Sequence, residues 1–201
     1  MQTKLPATPA ETIEFLKSFG ALEEGHFLLA SGRHSGHYVK KGKLVQHPWE
    51  LQRLIEQRSD ALRALGPVDA VLAPAVGGIP VGQQVGLALH CRALYAERNP
   101  DNQLELKRGF ALAPGERVLL VEDVITTGGT LAELEKFVAA CRAEVAGIFV
   151  VVNRSGKDEL LGRPVVSCLS VVFPTYGPKE VPPALAALPV VRPGTKKVPG
   201  G

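Results

Sequence analysis

The sequence predicts an α/β fold in which a central, mostly parallel sheet is flanked by helices. Short segments with apolar residues at successive positions, and therefore on both faces of a strand, indicate strands buried on two sides. Helical patterns lie between them, and this alternation is typical of parallel sheets. The predicted strands are VDAVLAP at 68–74, CRALYAE at 91–97, RVLLVED at 117–123, VAGIFVVVN at 145–153 and PVVSCLSVV at 164–172. The helices among them are VGQQVGLALH at 81–90 and TLAELEKFVAACRA at 130–143.

The first part of the chain predicts smaller elements. A helix is expected over 8–20, with Thr8 as its N-cap, Pro9 in its first position and Gly20 closing it. The glycine-punctuated stretch 21–45 predicts a hairpin.

The helical spacing of apolar residues then predicts a helix over 48–65. We therefore expect one domain over 1–201, with the core sheet and the site at about 67–173. The segments 1–66 and 174–201 are expected to supply peripheral elements, the second of them rich in proline.

The composition is that of an ordinary globular protein. Hydrophobic residues make up 45% and charged residues 21%, and the net charge of +3 is too small to argue for nucleic acid. No secretory signal heads the chain and no apolar stretch is long enough to span a bilayer, so no membrane partner is expected. The widely spaced cysteines predict free thiols and a cytoplasmic location: Cys91, Cys141 and Cys168.

Polar residues follow several of the predicted strands. In an open parallel sheet, ligands bind outside the carboxyl ends of the strands. The segments expected to meet at this edge are 73–78, 97–98, 122–130 and 153–154.

The stretch VLLVEDVITTGGT, at 118–130, carries the strongest chemical signal. A glycine-rich turn that enters a helix offers free N–H groups to a phosphate, and three threonine hydroxyls add donors. The chain has neither GxxxxGK[ST] nor GxGxxG, which removes the main support for common nucleotide sites. Glu122 and Asp123 suit sugar hydroxyls lying between them and the phosphate. Both can reach one ribose only if the chain curls out of the sheet at Glu122; the alternatives are a solvated strand end or a metal site.

These residues resemble the phosphoribosyl pyrophosphate (PRPP) signature of the type I phosphoribosyltransferases. Three further segments look like the orotate branch of that family: FLLASGRHSGHY at 27–38, APAVGGIPVG at 73–82 and VVVNRSG at 150–156. The resemblance covers roughly residues 20–156 and implies the type I fold, with a small hood made by the two ends of the chain.

The resemblance also implies roles at the PRPP site. Glu122 and Asp123 would hold the ribose hydroxyls, and Arg98 would reach PRPP phosphates. The remaining PRPP-binding residues implied are Ala75, Val76, Gly77 and Gly78 for pyrophosphate, and Val124, Ile125, Thr126, Thr127, Gly128, Gly129 and Thr130 around the 5-phosphate.

The base site is implied in the same way. Tyr38, Thr126 and Arg154 fall where the family contacts orotate. Orotate is a flat pyrimidine with a carboxylate, and a tyrosine ring and a guanidinium suit those two features. Outside the family context, Tyr38 is an ordinary half-buried tyrosine and Arg154 a solvated charge.

The sequence departs from the family at several positions. Many relatives have lysine where Ala30 and Gly77 stand, and the usual Lys-x-His of the catalytic loop is missing from NPDNQLELKRGF at 99–110. Lys107 and Arg108 are the candidate replacement cations; the alternative is that they are solvated loop charges. The length and polarity of this loop predict a mobile lid.

A second cluster lies before the core. His34 and His37 form an HxxH pattern that invites a zinc interpretation, although no helix or cysteine accompanies it. The other interpretation is a basic edge near the site, made with Arg33, Lys40, Lys41 and Lys43.

The resemblance implies transfer of the 5-phosphoribosyl group of PRPP to N1 of orotate, giving orotidine 5′-monophosphate and pyrophosphate in de novo pyrimidine synthesis. Mg²⁺ held through PRPP, with no direct protein ligand, and a homodimer are implied as well. Two alternatives stay open: a phosphoribosyltransferase for a purine or uracil, and a regulator that senses PRPP without turnover. A regulator of this kind usually carries a DNA-binding segment, and no helix-turn-helix pattern is visible.

Overall fold

The computed structural model describes residues 6–29 and 31–193, which form an α/β fold. In chain order the elements are α1 (Pro9–Ser18), β1 (Leu22–Leu28), β2 (His34–Val39), α2 (Lys41–Val45), α3 (Pro48–Glu56), α4 (Ser59–Arg63), β3 (Ala70–Pro74), α5 (Gly78–Leu89), β4 (Arg92–Arg98), β5 (Leu104–Leu106), β6 (Arg117–Ile125), α6 (Gly129–Ala140), β7 (Glu144–Asn153), β8 (Glu159–Leu160), β9 (Arg163–Ser170), β10 (Thr175–Tyr176), α7 (Pro183–Ala186) and β11 (Val190–Val191). Neither described range contains a helix long and apolar enough to cross a membrane.

The larger sheet confirms the predicted fold class. Within the described residues its strand order is β5-β4-β3-β6-β7-β9-β8. The inner strands β4, β3, β6, β7 and β9 are parallel, and the short edge strands β5 and β8 pair antiparallel. This order sets the carboxyl ends of β3, β6 and β7 side by side.

Helices cover both faces because the inner strands are apolar on both faces. Along β6, Leu119 and Val121 belong to one hydrophobic core, together with residues of α3 and α5. Val118 and Leu120 belong to the other core, where they meet the apolar side of α6. The period-two alternation of a strand therefore feeds two cores from one run of apolar residues.

A smaller sheet joins the two ends of the chain in the order β10-β2-β1-β11. The predicted hairpin is present as β1 and β2, with β10 antiparallel to β2 and β11 parallel to β1. Arg33 Nε donates to Thr175 Oγ1 over 2.9 Å, which ties the two chain ends together. Of the C-terminal peripheral segment, residues 194–201 lie outside the described residues.

The helices before the core differ in one respect from their prediction. Thr8 caps α1 as expected: its hydroxyl accepts from the N–H of Glu11, whose carboxylate accepts from the N–H of Thr8. The single helix predicted over 48–65 is wrong, because α3 and α4 are separate. At the break, Ser59 Oγ donates to the carbonyl of Glu56 over 2.6 Å, and such side-chain bonds compete with helical hydrogen bonding.

Candidate active site

The loops that follow the parallel strands are joined at one edge of the sheet. The N–H of Arg154, after β7, donates to the carbonyl of Ile125 at the end of β6 over 2.9 Å. The N–H of Ala75, after β3, donates to the carbonyl of Ala96 in β4 over 2.8 Å. Backbone hydrogen bonds therefore connect neighbouring segments at the edge that the strand ends predict.

The acidic pair lies inside β6. This strand stays paired with β7 as far as Ile125, whereas its pairing with β3 ends at Leu120. The expectation that the chain curls out of the sheet at Glu122 is therefore wrong on the β7 side. The strand separates from β3 alone, and the gap gives Asp123 room to approach the loop after β3.

Asp123 is buried and meets a lysine from outside the core sheet. Lys41 Nζ lies 2.9 Å from Asp123 Oδ2 and 3.1 Å from Oδ1. Asp123 Oδ1 also accepts from the N–H of Val124 over 2.7 Å. Asp123 Oδ2 is buried and accepts no well-directed hydrogen bond from the described residues, so its contact with Lys41 is the ion pair.

Gly77 completes this contact because it has no side chain. A Cβ at Gly77 would lie 2.0 Å from Asp123 Oδ2 and 3.0 Å from Lys41 Nζ. Its backbone has φ −65° and ψ −31°, a conformation open to any residue. The glycine is therefore required by space, and the loop after β3, the carboxylate and the ammonium form one compact group.

Glu122 has an unusually high pKa for a carboxyl group. Burial raises its pKa to about 8, with a further increase from Asp123 and an opposing effect of Lys41. Near neutral pH the carboxyl is therefore largely protonated before any ligand binds. A protonated Glu122 beside a charged Asp123 can offer both a donor and an acceptor to sugar hydroxyls.

We expect this shift to make the stability of the ligand-free protein depend on pH. The folded-state pKa of Glu122 lies above its ordinary value of 4.5. Its stabilising contribution is therefore complete below pH 4.5 and is lost as pH rises through about 8. Glu122→Gln should remove this loss, on the order of a few kcal/mol, at about 1.4 kcal/mol per pKa unit.

Urea unfolding between about pH 5 and pH 9 measures this difference. The variant should gain stability relative to the wild type as pH rises. Glu14→Gln, on the exposed face of α1, is the control and should follow the wild type. Parallel curves for the wild type and Glu122→Gln would contradict the raised pKa.

The TTGGT turn leads directly into α6. Gly128 is the N-cap residue, with a left-handed φ of +79°, and no described side chain caps the helix there. A Cβ at Gly128 would also lie 2.5 Å from Leu160 Cδ2. Thr126, Thr127 and Gly129 are exposed and Thr130 is half-buried. The first N–H groups of α6 are therefore available to an anion.

The loop after β3 forms a turn that runs straight into α5. The peptide bond between Ala75 and Val76 is cis, and Val76 is 80% exposed. Gly78 packs tightly against the strand, since a Cβ there would lie 2.9 Å from Pro74 Cδ. Within this turn, it is the backbone of Gly77 that lies beside Asp123.

Arg154 lies beside His37 and Phe173, of which the sequence reasoning left out Phe173. Arg154 Cζ lies 5.3 Å from the ring centroid of Phe173, and His37 stacks on that ring at 4.3 Å and 13°. Arg154 Nε is buried and has no hydrogen-bond partner among the described residues. Tyr38 is near enough to affect the pKa of both Arg154 and Lys41, so this cluster adjoins the acidic pair.

The other predicted cations are engaged by nearby carboxylates. Arg98 Nη1 lies 2.9 Å from Glu133 Oε2 in α6. Lys107 pairs with Glu105 at 2.8 Å. Arg108 Nε pairs with Glu97 at the same distance.

Part of the segment at 99–110 forms a strand, and its mobility as a lid stays a prediction. Leu104–Leu106 forms β5, which pairs antiparallel with β4. Its two leucines pack against the α6-side core, so apolar contact rather than loop polarity determines this edge.

The HxxH pattern separates in the structure. His34 Nδ1 lies 2.7 Å from Nε2 of His26, whereas His37 stacks on Phe173. The two histidines therefore have different neighbours, against the zinc interpretation. Ala30, the other position where many relatives have lysine, lies outside the described residues.

Lys41 and Phe173 are the residues whose roles the sequence reasoning missed. Lys41 was grouped only with a basic edge, and nothing local in YVKKG at 38–42 marks its contact with Asp123. Phe173 could have been found, because it follows β9 as the other site segments follow β3, β4, β6 and β7.

Fold and site together define an α/β protein with a glycine-rich turn that opens a helix and an acidic pair at the carboxyl edge of its sheet. A family model described as "Phosphoribosyl transferase domain" matches residues 42–182. The chain is 41% identical over 191 residues to the "Orotate phosphoribosyltransferase" of Novosphingobium aromaticivorans, an alignment that covers 94% of this chain and 98% of that one. The chain therefore belongs to the phosphoribosyltransferase family, as the sequence resemblance indicated.

Solved structures support the same assignment. The orotate phosphoribosyltransferase from Aeropyrum pernix aligns with a TM-score of 0.66 and 26% identity, over 78% of this chain and 92% of that one. The adenine phosphoribosyltransferase from Thermoanaerobacter pseudethanolicus aligns with a TM-score of 0.58 and 21% identity, over 67% of this chain and 88% of that one. The second likeness shows the shared fold alone.

Proposed function

We propose that the protein transfers the 5-phosphoribosyl group of PRPP to N1 of orotate, which gives orotidine 5′-monophosphate and pyrophosphate for UMP synthesis. The relatives that match along nearly the whole chain carry this activity in their names. The observation that supports the choice of base is Arg154, whose buried Nε has no partner among the described residues. A carboxylate on a flat ring is the ligand that such a guanidinium beside aromatic rings best accommodates.

The base is held from two sides in this proposal. Arg154 donates to the orotate carboxylate, and Phe173 fixes the guanidinium by cation–π contact. Tyr38, half-buried in β2, offers its ring to the pyrimidine. Thr126, exposed after β6, adds a hydroxyl donor in this proposal. Burial lowers the pKa of His37, which disfavours a second positive charge beside Arg154.

PRPP occupies the part of the site that contains the acidic pair. The ribose hydroxyls contact Asp123 and Glu122, and the 5-phosphate lies on the N–H groups that begin α6. The pyrophosphate lies against the turn at 75–78, next to Asp123. The two substrates are thereby held with C1 of the ribose facing N1 of orotate, and positioning supplies much of the rate.

Mg²⁺ is proposed to enter with PRPP. The acidic pair suits it, because Asp123 and Glu122 would orient the ribose hydroxyls of the substrate that carries the ion, with no direct protein ligand. When bound, the ion neutralises charge on the leaving pyrophosphate. The chain's own residues orient both substrates and exclude water, and no covalent nucleophile is required. A homodimer and a cytoplasmic location, in line with the free thiols, belong to the same proposal.

The test is pyrophosphate release from PRPP with Mg²⁺ across orotate, uracil, adenine, hypoxanthine and xanthine. We expect turnover with orotate alone. Arg154→Ala should lower kcat/KM for orotate roughly 100-fold and leave the KM for PRPP nearly unchanged, since a charged hydrogen bond contributes about 3 kcal/mol.

Arg163→Ala is the matched control, because this arginine pairs with Glu135 at the opposite end of the sheet. Turnover with a purine or uracil would retain the PRPP site and refute the base assignment. PRPP binding without turnover on any base would favour a non-catalytic PRPP sensor.

A further inference from the structure

Lys41 has a position that its ion pair alone does not explain. It is the first residue of α2 and reaches across from the smaller sheet to Asp123 in β6. Its ammonium also lies 3.0 Å from where a Cβ of Gly77 would be. A single cation therefore touches both the residue assigned to ribose and the turn assigned to pyrophosphate.

The ammonium remains charged and accessible. Burial lowers the pKa of Lys41, but the Asp123 carboxylate and then Glu122 raise it, and the pKa lies above its ordinary value. The side chain is 53% exposed whereas that of Asp123 is 2% exposed. A ligand can thus reach Lys41 directly from solvent, so the ion pair has one open side.

In the proposed binding mode, the bond that breaks lies between the ribose at Asp123 and the pyrophosphate at the turn. As the C1–O bond of PRPP opens, its electron pair leaves with the pyrophosphate oxygen, and orotate N1 forms the new N1–C1 bond and releases its proton to solvent. The pyrophosphate leaves as an anion, so a positive charge beside it can stabilise it without protonation. Arg98, Lys107 and Arg108 pair with Glu133, Glu105 and Glu97, whereas the carboxylate partner of Lys41 is itself a member of the acidic pair.

We propose that Lys41 is a catalytic residue that contacts the pyrophosphate of PRPP and counters the charge that develops on it. This inference rests on the proposed function, whichever base is the acceptor. In the free protein the same ammonium holds Asp123 in place; with PRPP bound it is shared between the carboxylate and the leaving group. Because Lys41 belongs to α2 and not to the core sheet, the position of α2 affects how the ammonium meets the pyrophosphate.

The experiment compares Lys41→Ala and Lys41→Arg with the wild type. Forward kinetics give kcat and both KM values, and calorimetry with magnesium pyrophosphate gives binding that does not depend on the base. We expect Lys41→Ala to lower kcat about 100-fold and to weaken pyrophosphate binding at least about 10-fold, with the KM for orotate changed less than about 2-fold. Lys41→Arg should restore most of the pyrophosphate binding.

The control is Lys17→Ala, which removes an exposed lysine that also pairs with a carboxylate, Glu24, at 2.8 Å. Unchanged pyrophosphate affinity in a folded Lys41→Ala protein would overturn the proposal and leave Lys41 only the role of holding Asp123. If Lys41→Ala does not fold, equal pyrophosphate affinity of Lys41→Gln and the wild type would overturn it instead. Turnover of the wild type on another base would defeat the orotate assignment without affecting this test.

Discussion

Asp123→Asn should lower kcat at least about 100-fold while the protein stays folded. The carboxylate is buried, and one of its oxygens accepts no hydrogen bond from the described residues. An asparagine of the same shape keeps one acceptor for the N–H of Val124. It then turns an N–H₂ group toward Lys41 and toward the substrate hydroxyls, where an acceptor is needed. Both the ion pair and the ribose contact are lost in one substitution.

Steady-state kinetics with orotate and PRPP, together with thermal unfolding, test this expectation. Asp69→Asn is the matched control, since Asp69 stands just before β3 and its Oδ2 accepts from the N–H of Arg117 over 2.8 Å. It is an acid at the opposite end of the same sheet, and its variant should keep the wild-type kcat. Equal losses of activity in the two variants would mean that the effect comes from the sheet and not from the ribose site.

The parts of this molecule that the sequence predicts are those that depend on local pattern. VLLV at 118–121 is apolar at successive positions because β6 contributes to two cores, and that pattern is visible without coordinates. Gly128 with its left-handed φ and Thr8 with its capping box are likewise local devices. Placing the site at the carboxyl edge needed only the parallel order of the strands.

The parts that were missed depend on contacts between distant segments. Lys41 and Asp123 are 82 positions apart, and no spacing rule connects them. The same holds for His37 on Phe173, because one lies in the hairpin and the other follows the last long strand. Such pairs appear only when the smaller sheet is placed over the larger one.

The errors at strand ends have another cause. Alternation predicts that Glu122 and Asp123 face opposite ways, which suggested that β6 had to leave the sheet. A strand between two neighbours can separate from one of them only, and pairing with β7 continues after pairing with β3 has ended. Similarly, a polar segment forms β5 at the sheet edge because its two leucines pack against the core.

Gly77→Ala should reduce kcat/KM about 100-fold, although it adds a single methyl group. That methyl would lie 2.0 Å from Asp123 Oδ2, so the carboxylate has to move away from both Lys41 and the ribose position. The backbone of Gly77 already has helical angles, so the substitution brings no conformational strain. Overpacking should cost about 1–3 kcal/mol of unfolding free energy. Kinetics and urea unfolding measure the two effects separately.

Gly42→Ala is the control for Gly77→Ala, because no described atom lies within 4 Å of a Cβ built at Gly42 in α2. It should keep wild-type kinetics and equal or slightly higher stability. A double-mutant cycle then decides how Gly77 acts. If its methyl works through the carboxylate, adding Gly77→Ala to Asp123→Asn should lower kcat/KM far less than it does in the wild type. Additive losses would show that residue 77 affects catalysis by a route other than Asp123. They would contradict the idea that the loop, the carboxylate and the ammonium act as one group.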